Sequence, residues 1–108
     1  MGNFSTYQYV FDRIEETKPQ IIVNPYLLQD IIINIPQEAE HAKNELINVA
    51  TDGREPYLRS RAYSILVVNY GEEILPFIIR RFSEEVDISN RISMVNYIFP
   101  KYKNQLVF

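Results

Sequence analysis

The chain has 108 residues, 46% hydrophobic and 23% charged, with no cysteine and a formal net charge of −3. That length predicts one domain spanning residues 1–108, and the composition is ordinary for a soluble globule. Without cysteine there is no disulfide framework, no thiolate nucleophile and no thiolate metal site. The same absence fits a reducing compartment, and the start of the chain lacks the basic-then-apolar pattern of a secretory signal, so we expect a cytoplasmic protein.

Apolar runs are interrupted at Asn24, Gln29, Asp30, Asn34 and Asn69, short of the ~18–20 residues a spanning helix needs. No membrane partner is therefore expected. Met1-Gly2-Asn3-Phe4-Ser5-Thr6 satisfies the loose pattern for N-myristoylation. A single acyl chain binds membrane only marginally without a polybasic neighbour, and no lysine cluster follows.

Taken in order, residues 5–17 place Tyr7, Val10, Phe11 and Ile14 on one helical face, and Lys18-Pro19 stops that helix. Asn24 caps the next helix, with Pro25 in its first position. It carries Tyr26, Leu27, Leu28, Ile31, Ile32 and Ile35 and ends at Pro36. A third helix covers residues 37–51 with the stripe Ala39, Ala42, Leu46, Val49 and Ala50, and Asp52-Gly53 makes the following turn.

The organising stretch is residues 63–82. Tyr63, Ile65, Leu66, Val67, Val68 and Tyr70 leave almost no polar face, and Ile74, Leu75, Phe77, Ile78, Ile79 and Phe82 follow the break at Gly71. A helix apolar nearly all round is buried on several sides, so two helices joined by a tight turn at residues 71–73 are expected. Pro56 opens the first and Pro76 lies in the first turn of the second. After an acidic turn at 83–87, a sixth helix over 88–99 is expected to bury Ile88, Ile92, Val95 and Ile98, with Pro100 closing it. The fold class read from this pattern is all-α, with about six helices.

Short antiparallel helices invite a search for repeats. Pro25-Tyr26-Leu27 recurs as Pro56-Tyr57-Leu58, and the spacing Arg59-x-x-Ala62-x-x-Ile65-Leu66 recurs as Arg91-x-x-Met94-x-x-Tyr97-Ile98. With Gly71, Ile74-Leu75-Pro76, Ile78 and Asp87, these residues make the chain resemble the HEAT-like repeats of roughly 30 residues first described in phycobilisome lyases. Residues 24–52, 55–85 and 88–108 are the approximate repeats. The first departs from the pattern, with Leu28 where the arginine stands and Pro36-Gln37 in place of the glycine turn. The resemblance implies a short right-handed stack of antiparallel helix pairs, an α-solenoid, in which Arg59, Ala62, Gly71, Pro76, Asp87 and Arg91 are structural. It implies that Arg59 and Arg91 pair across layers with acids such as Asp52 and Asp87. It implies no activity, because solenoids present surfaces. A compact helical bundle is the rival packing.

Chemistry is sparse. The single histidine, His41, stands near Glu38, Glu40 and Glu45, but an inward Glu-x-x-His di-iron site needs the motif twice. No Gly-x-Ser-x-Gly elbow and no phosphate-cradling glycine loop occur, and spacing alone singles out no carboxylate pair. We therefore expect no enzyme activity, no metal and no cofactor. The alternative is an enzyme or metal protein centred on His41.

Charge is unevenly spread. Residues 1–53 carry eight acids and three bases, a net of −5, and residues 54–108 carry six acids and eight bases, a net of +2. Glu38, Glu45 and Asp52 recur every seven residues along the third helix and so drift only slightly around its axis. With Glu40 and His41 they form an acidic ridge expected to face solvent. The arginines Arg54, Arg59, Arg61, Arg80, Arg81 and Arg91 sit in an acidic chain, which lacks the basic footprint of a nucleic-acid module. The functional expectation is a protein-binding module, monomeric or weakly dimeric. Its most concrete form is a stoichiometric inhibitor or immunity-type protein docking a basic toxin or enzyme domain through Glu38, Glu40, His41, Glu45 and Asp52. The alternative is a structural or regulatory subunit that packs into a larger assembly through the apolar, tyrosine-bearing ends of the stack, where Tyr7, Tyr9, Tyr97 and Tyr102 lie.

Overall fold

The computed structural model describes residues 24–103, in which all regular structure is helical and no strand occurs. The expected helix over residues 5–17, the myristoylation-type start, Tyr7 and Tyr9 lie outside the described residues. Helix α1 is Pro25–Asn34, α2 Ala39–Asp52, α3 Pro56–Tyr70, α4 Leu75–Glu84 and α5 Ile88–Ser93.

Local chemistry explains most of these boundaries. The Asn24 side chain accepts from the Tyr26 backbone N–H at 2.9 Å, satisfying a donor that the first turn leaves unpaired, and Pro25 occupies a position where no N–H is needed. A 3₁₀ turn, Pro36–Glu38, leads into α2. Gly53 ends α2 by a close approach: a Cβ there would meet the Val49 carbonyl oxygen at 2.5 Å. Gly71 ends α3 at φ 54°, ψ −126°, a backbone conformation that L side chains rarely adopt. The Gly71–Ile74 3₁₀ turn then opens α4, with Pro76 in its first turn.

Five side-chain contacts set the directions. Arg59 and Tyr63, near the start of α3, both reach Glu85 just beyond α4, so α3 and α4 run antiparallel. Lys43, near the start of α2, bridges Glu73 at 2.6 Å beyond the end of α3, so α2 and α3 are antiparallel too. The Asn90 side chain donates to the Pro56 carbonyl at 2.8 Å, and the Tyr102 hydroxyl donates to the Gly71 carbonyl at 2.8 Å. Those two bonds pin the last segment parallel to α3, from one end to the other.

Helix α3 is central. Leu58, Ala62, Tyr63, Ile65, Leu66 and Val67 are buried, as expected of a helix with almost no polar face over residues 63–70. They join Leu28 and Ile31 of α1, Ala42, Leu46, Val49 and Ala50 of α2, and Ile74, Ile78, Met94 and Ile98 in one core. Each fully buried aliphatic side chain there contributes about 1.5–3 kcal/mol. Val68 and Ile79, by contrast, are exposed.

Three sequence expectations are corrected. The α5 face is rotated: Ile88 is 73% exposed and Ile92 and Val95 also face solvent, whereas Asn90, Met94, Ile98 and Tyr102 point inward. Polar bonds decide this, since burying that face satisfies the Asn90 amide and the Tyr102 hydroxyl on carbonyls of the α3 layer. Second, Pro100 does not close the segment. The chain widens into a π turn over Met94–Ile98 and continues as a 3₁₀ turn, Phe99–Tyr102. A proline ring in an α-helix would clash with the carbonyl four residues back, and the wider turn avoids that clash. Third, the polar break at Asn69 does not keep this stretch below the apolar length a spanning helix needs. Helical structure runs over 29 residues, Pro56–Glu84, and its most apolar 18-residue window has a mean hydropathy of 1.3, enough by length and composition to cross a membrane. The fold at Gly71 divides it, and α3 alone is about 22 Å long, short of the ~30 Å hydrocarbon layer.

Candidate functional site

The residues expected to form an acidic ridge are all on or beside α2, but they do not form one continuous surface. Glu40 and Asp52 are exposed, Glu38 and His41 are half-buried, and Glu45 is only 8% exposed. Helix α2 packs against both α1 and α3, so its buried arc is wide. Glu45 lies three residues after Ala42 and four before Val49, inside that arc; this spacing was visible in the sequence and contradicts a solvent-facing centre for the ridge. Asp52 is twelve residues beyond Glu40, about 18 Å along the helix, so the two do not share one contact. His41 lies 3.7 Å from Glu38 and 4.0 Å from Glu45, beyond hydrogen-bond distance. Among the described residues no group of three or more His, Asp or Glu side chains is arranged to hold a metal ion.

The fold adds acids that the sequence did not attach to α2. The Lys43 ammonium donates to Glu73 at 2.6 Å and sits 4.7 Å above the Tyr70 ring. Its pKa is raised, chiefly by the hydrogen bond to Glu73, against the opposing effect of burial, with the charges of Glu73 and Glu40 adding to the rise. The Tyr70 hydroxyl is also pushed up, first by burial and then, against Lys43, by the same two carboxylates. Glu40 and Glu73 therefore surround one lysine, and Glu72 is exposed next to Glu73. This patch is built from α2 and the turn after α3. No local pattern could reveal it, since Lys43 and Glu73 are thirty residues apart.

A second ionic cluster is internal and was missed. Glu85, 3% exposed, accepts from Arg59 Nε at 3.0 Å and Nη2 at 2.8 Å, from the Tyr63 hydroxyl at 2.5 Å, and from the Asp87 backbone N–H at 3.0 Å. Burial pushes its carboxyl up, but the donors from Arg59, Tyr63, Asp87 and Asn90 outweigh burial and hold it down to about 2. Tyr63 is pushed up to about 12, by burial first and by its bond to Glu85 second. Arg59 also donates to the Gly53 carbonyl at 2.7 Å.

The structural residues expected from the repeat resemblance take partly different roles. Among the described residues Asp87 does not pair with an arginine; it caps α5, accepting from the Asn90 N–H at 2.9 Å. Neither does Asp52 meet Arg59, whose carboxylate is Glu85. Arg91 donates to the Phe82 carbonyl at 2.6 Å and stacks 4.3 Å from the Phe82 ring. Ala62 is fully buried, Gly71 makes the turn at positive φ, and Pro76 is exposed in the first turn of α4. Arg81, also buried, pairs with Glu84 at 2.8 Å and keeps its Nε without a hydrogen-bond partner. Comparison of the chain with protein-family models, with characterised proteins and with solved structures finds no match.

Proposed function

We propose that the chain is a non-enzymatic protein-binding module that engages a basic partner through the carboxylates around Lys43, most concretely as a stoichiometric inhibitor of a basic toxin or enzyme domain. The observation that carries this reading is the convergence of Glu40 and Glu73, from two separate elements, on one lysine. Among the described residues Lys43 is the positive side chain inside that cluster, and it is already bridged, which suits the carboxylates to steering a cationic surface. Glu38, His41 and Glu72 border the contact; Glu45 supports α2 from beneath, and Asp52 lies outside it.

The same reading treats the architecture as a short HEAT-like stack. The up-and-down order of α1 to α4, the parallel return of the last segment along α3, and the Gly71 turn support it. So does the elongated shape: the radius of gyration is 14.4 Å with extents of 48 × 27 × 16 Å, where a compact globule of this size has about 12–13 Å. A second reading, a structural or regulatory subunit of a larger assembly, is favoured by the exposed Ile88, Ile92 and Val95.

The test is affinity capture from the cells that make the protein, with wild type and the Glu40→Lys, Glu73→Lys variant as parallel baits. A basic polypeptide retained in 0.15 M salt by wild type alone, and released on raising the salt, is the expected outcome. Identical retention by both baits would sink the acidic-contact reading.

A further inference from the structure

From complementary faces at its two ends we infer that the chain associates head to tail, the α1 ridge of one copy lying in the α4–α5 groove of the next. The groove has a volume of about 400 Å³ and is lined by Phe82, Ile88, Arg91, Ile92, Val95 and Asn96. Its floor is a stripe at i, i+4 and i+7 of the last helical segment, with Val95 52% exposed. Its wall is the Phe82 ring with the Arg91 guanidinium stacked on it. Arg91 gives hydrogen bonds to backbone carbonyls and makes no ion pair with a carboxylate among the described residues. Such a groove takes an amphipathic helix that brings apolar anchors two turns apart and a negative charge between them.

The chain itself carries that ridge. On α1, the first described helix, Tyr26 is 52% exposed and Ile33 is exposed too. They are seven residues apart, the same ~10.5 Å two-turn spacing as Ile88 and Val95. Asp30, which accepts a bond from the Asn34 side chain at 2.7 Å, is the acid between them. Ridge and groove lie at opposite ends of the helix order, so the complement of each is offered by a second copy. Charge agrees with this pairing, because the half containing α1 has a net of −5 and the half containing the groove +2. Joining unlike halves is attractive, and joining like halves is not. One helix in one groove buries on the order of 1,000 Å², the size of a weak contact, so association is concentration-dependent. A heterologous contact of this kind does not close on itself and builds rows longer than two.

Sedimentation equilibrium of the full chain, with Val95→Asp and Tyr26→Asp as variants at exposed positions, tests this. We expect the weight-average mass of wild type to rise at least twofold between ~10 µM and ~1 mM, the range of weak contacts. Each variant alone stays at monomer mass. Their equimolar mixture forms a one-to-one heterodimer and nothing longer, because one variant keeps its ridge and the other its groove. A wild type that stays monomeric at ~1 mM overturns the proposal. So does a mixture that fails to associate, which would mean the groove pairs with itself.

Discussion

At the residue scale the molecule turns on Glu85. A carboxylate almost wholly removed from water is costly unless its oxygens are fully engaged, and four donors from α3, α5 and the intervening loop engage it. Replacing Glu85 with Ala should cost about 3–5 kcal/mol, the range for breaking a buried pair and leaving Arg59 uncompensated, read from urea midpoints. Tyr63→Phe removes one charge-assisted bond and should cost about 1.5–3 kcal/mol. The pH dependence has a definite sign. Glu85 is held down to about 2 in the folded chain from an ordinary 4.5, so its contribution is complete above 4.5 and is lost as pH falls from there through about 2. Urea melts at pH 7, 4, 3 and 2 should show wild type converging on Glu85→Gln as pH drops; parallel curves would contradict the assignment. Nothing in residues 83–87 distinguishes Glu85 from Glu84 by type. Their difference arises because Glu85 is the first residue past the α4 terminus and turns under α3.

At the scale of the element, α5 separates apolar spacing from burial. Ile88, Ile92 and Val95 have helical periodicity, yet the inward positions are Asn90, Met94, Ile98 and Tyr102, one every four residues. Hydrophobicity alone favours the first stripe, because the second begins with an amide and passes Pro100. Ile92→Ser in the isolated chain should therefore change stability by no more than about 0.5 kcal/mol, whereas Met94→Ala should cost about 2–5 kcal/mol. Thermal melts at low protein concentration compare them without interference from self-association. Gly71→Ala should cost about 1–3 kcal/mol through backbone strain alone, since no atom lies within 4 Å of the Cβ it would add. That turn was legible in the chain as the glycine between two apolar runs.

At the scale of the whole molecule, helices alternate in direction around α3, leaving a negative patch near Lys43 on one side and an apolar groove at one end. The two surfaces make separable demands. Glu40→Lys with Glu73→Lys, which takes the partner from the largely buried Lys43, should cost about 1–3 kcal/mol and leave the chain folded while removing capture of a basic partner. Val95→Asp should leave that capture intact and abolish concentration-dependent mass. Loss of both properties in either variant would mean the two surfaces are one.

Much of this architecture was written locally. Asn24-Pro25, Pro56, Gly53 and Gly71 mark where helices start and stop, because capping, missing N–H groups and positive φ act within a few residues. The apolar stretch of α3 was expected to be central, since a helix with almost no polar face is buried on several sides. Which face of α5 turns inward, which acid meets Arg59, and which carboxylates gather around Lys43 were settled only when segments twenty to forty residues apart packed together. Burial of a polar group is favourable or costly according to the partner that tertiary contact supplies, and no neighbour in the chain carries that information.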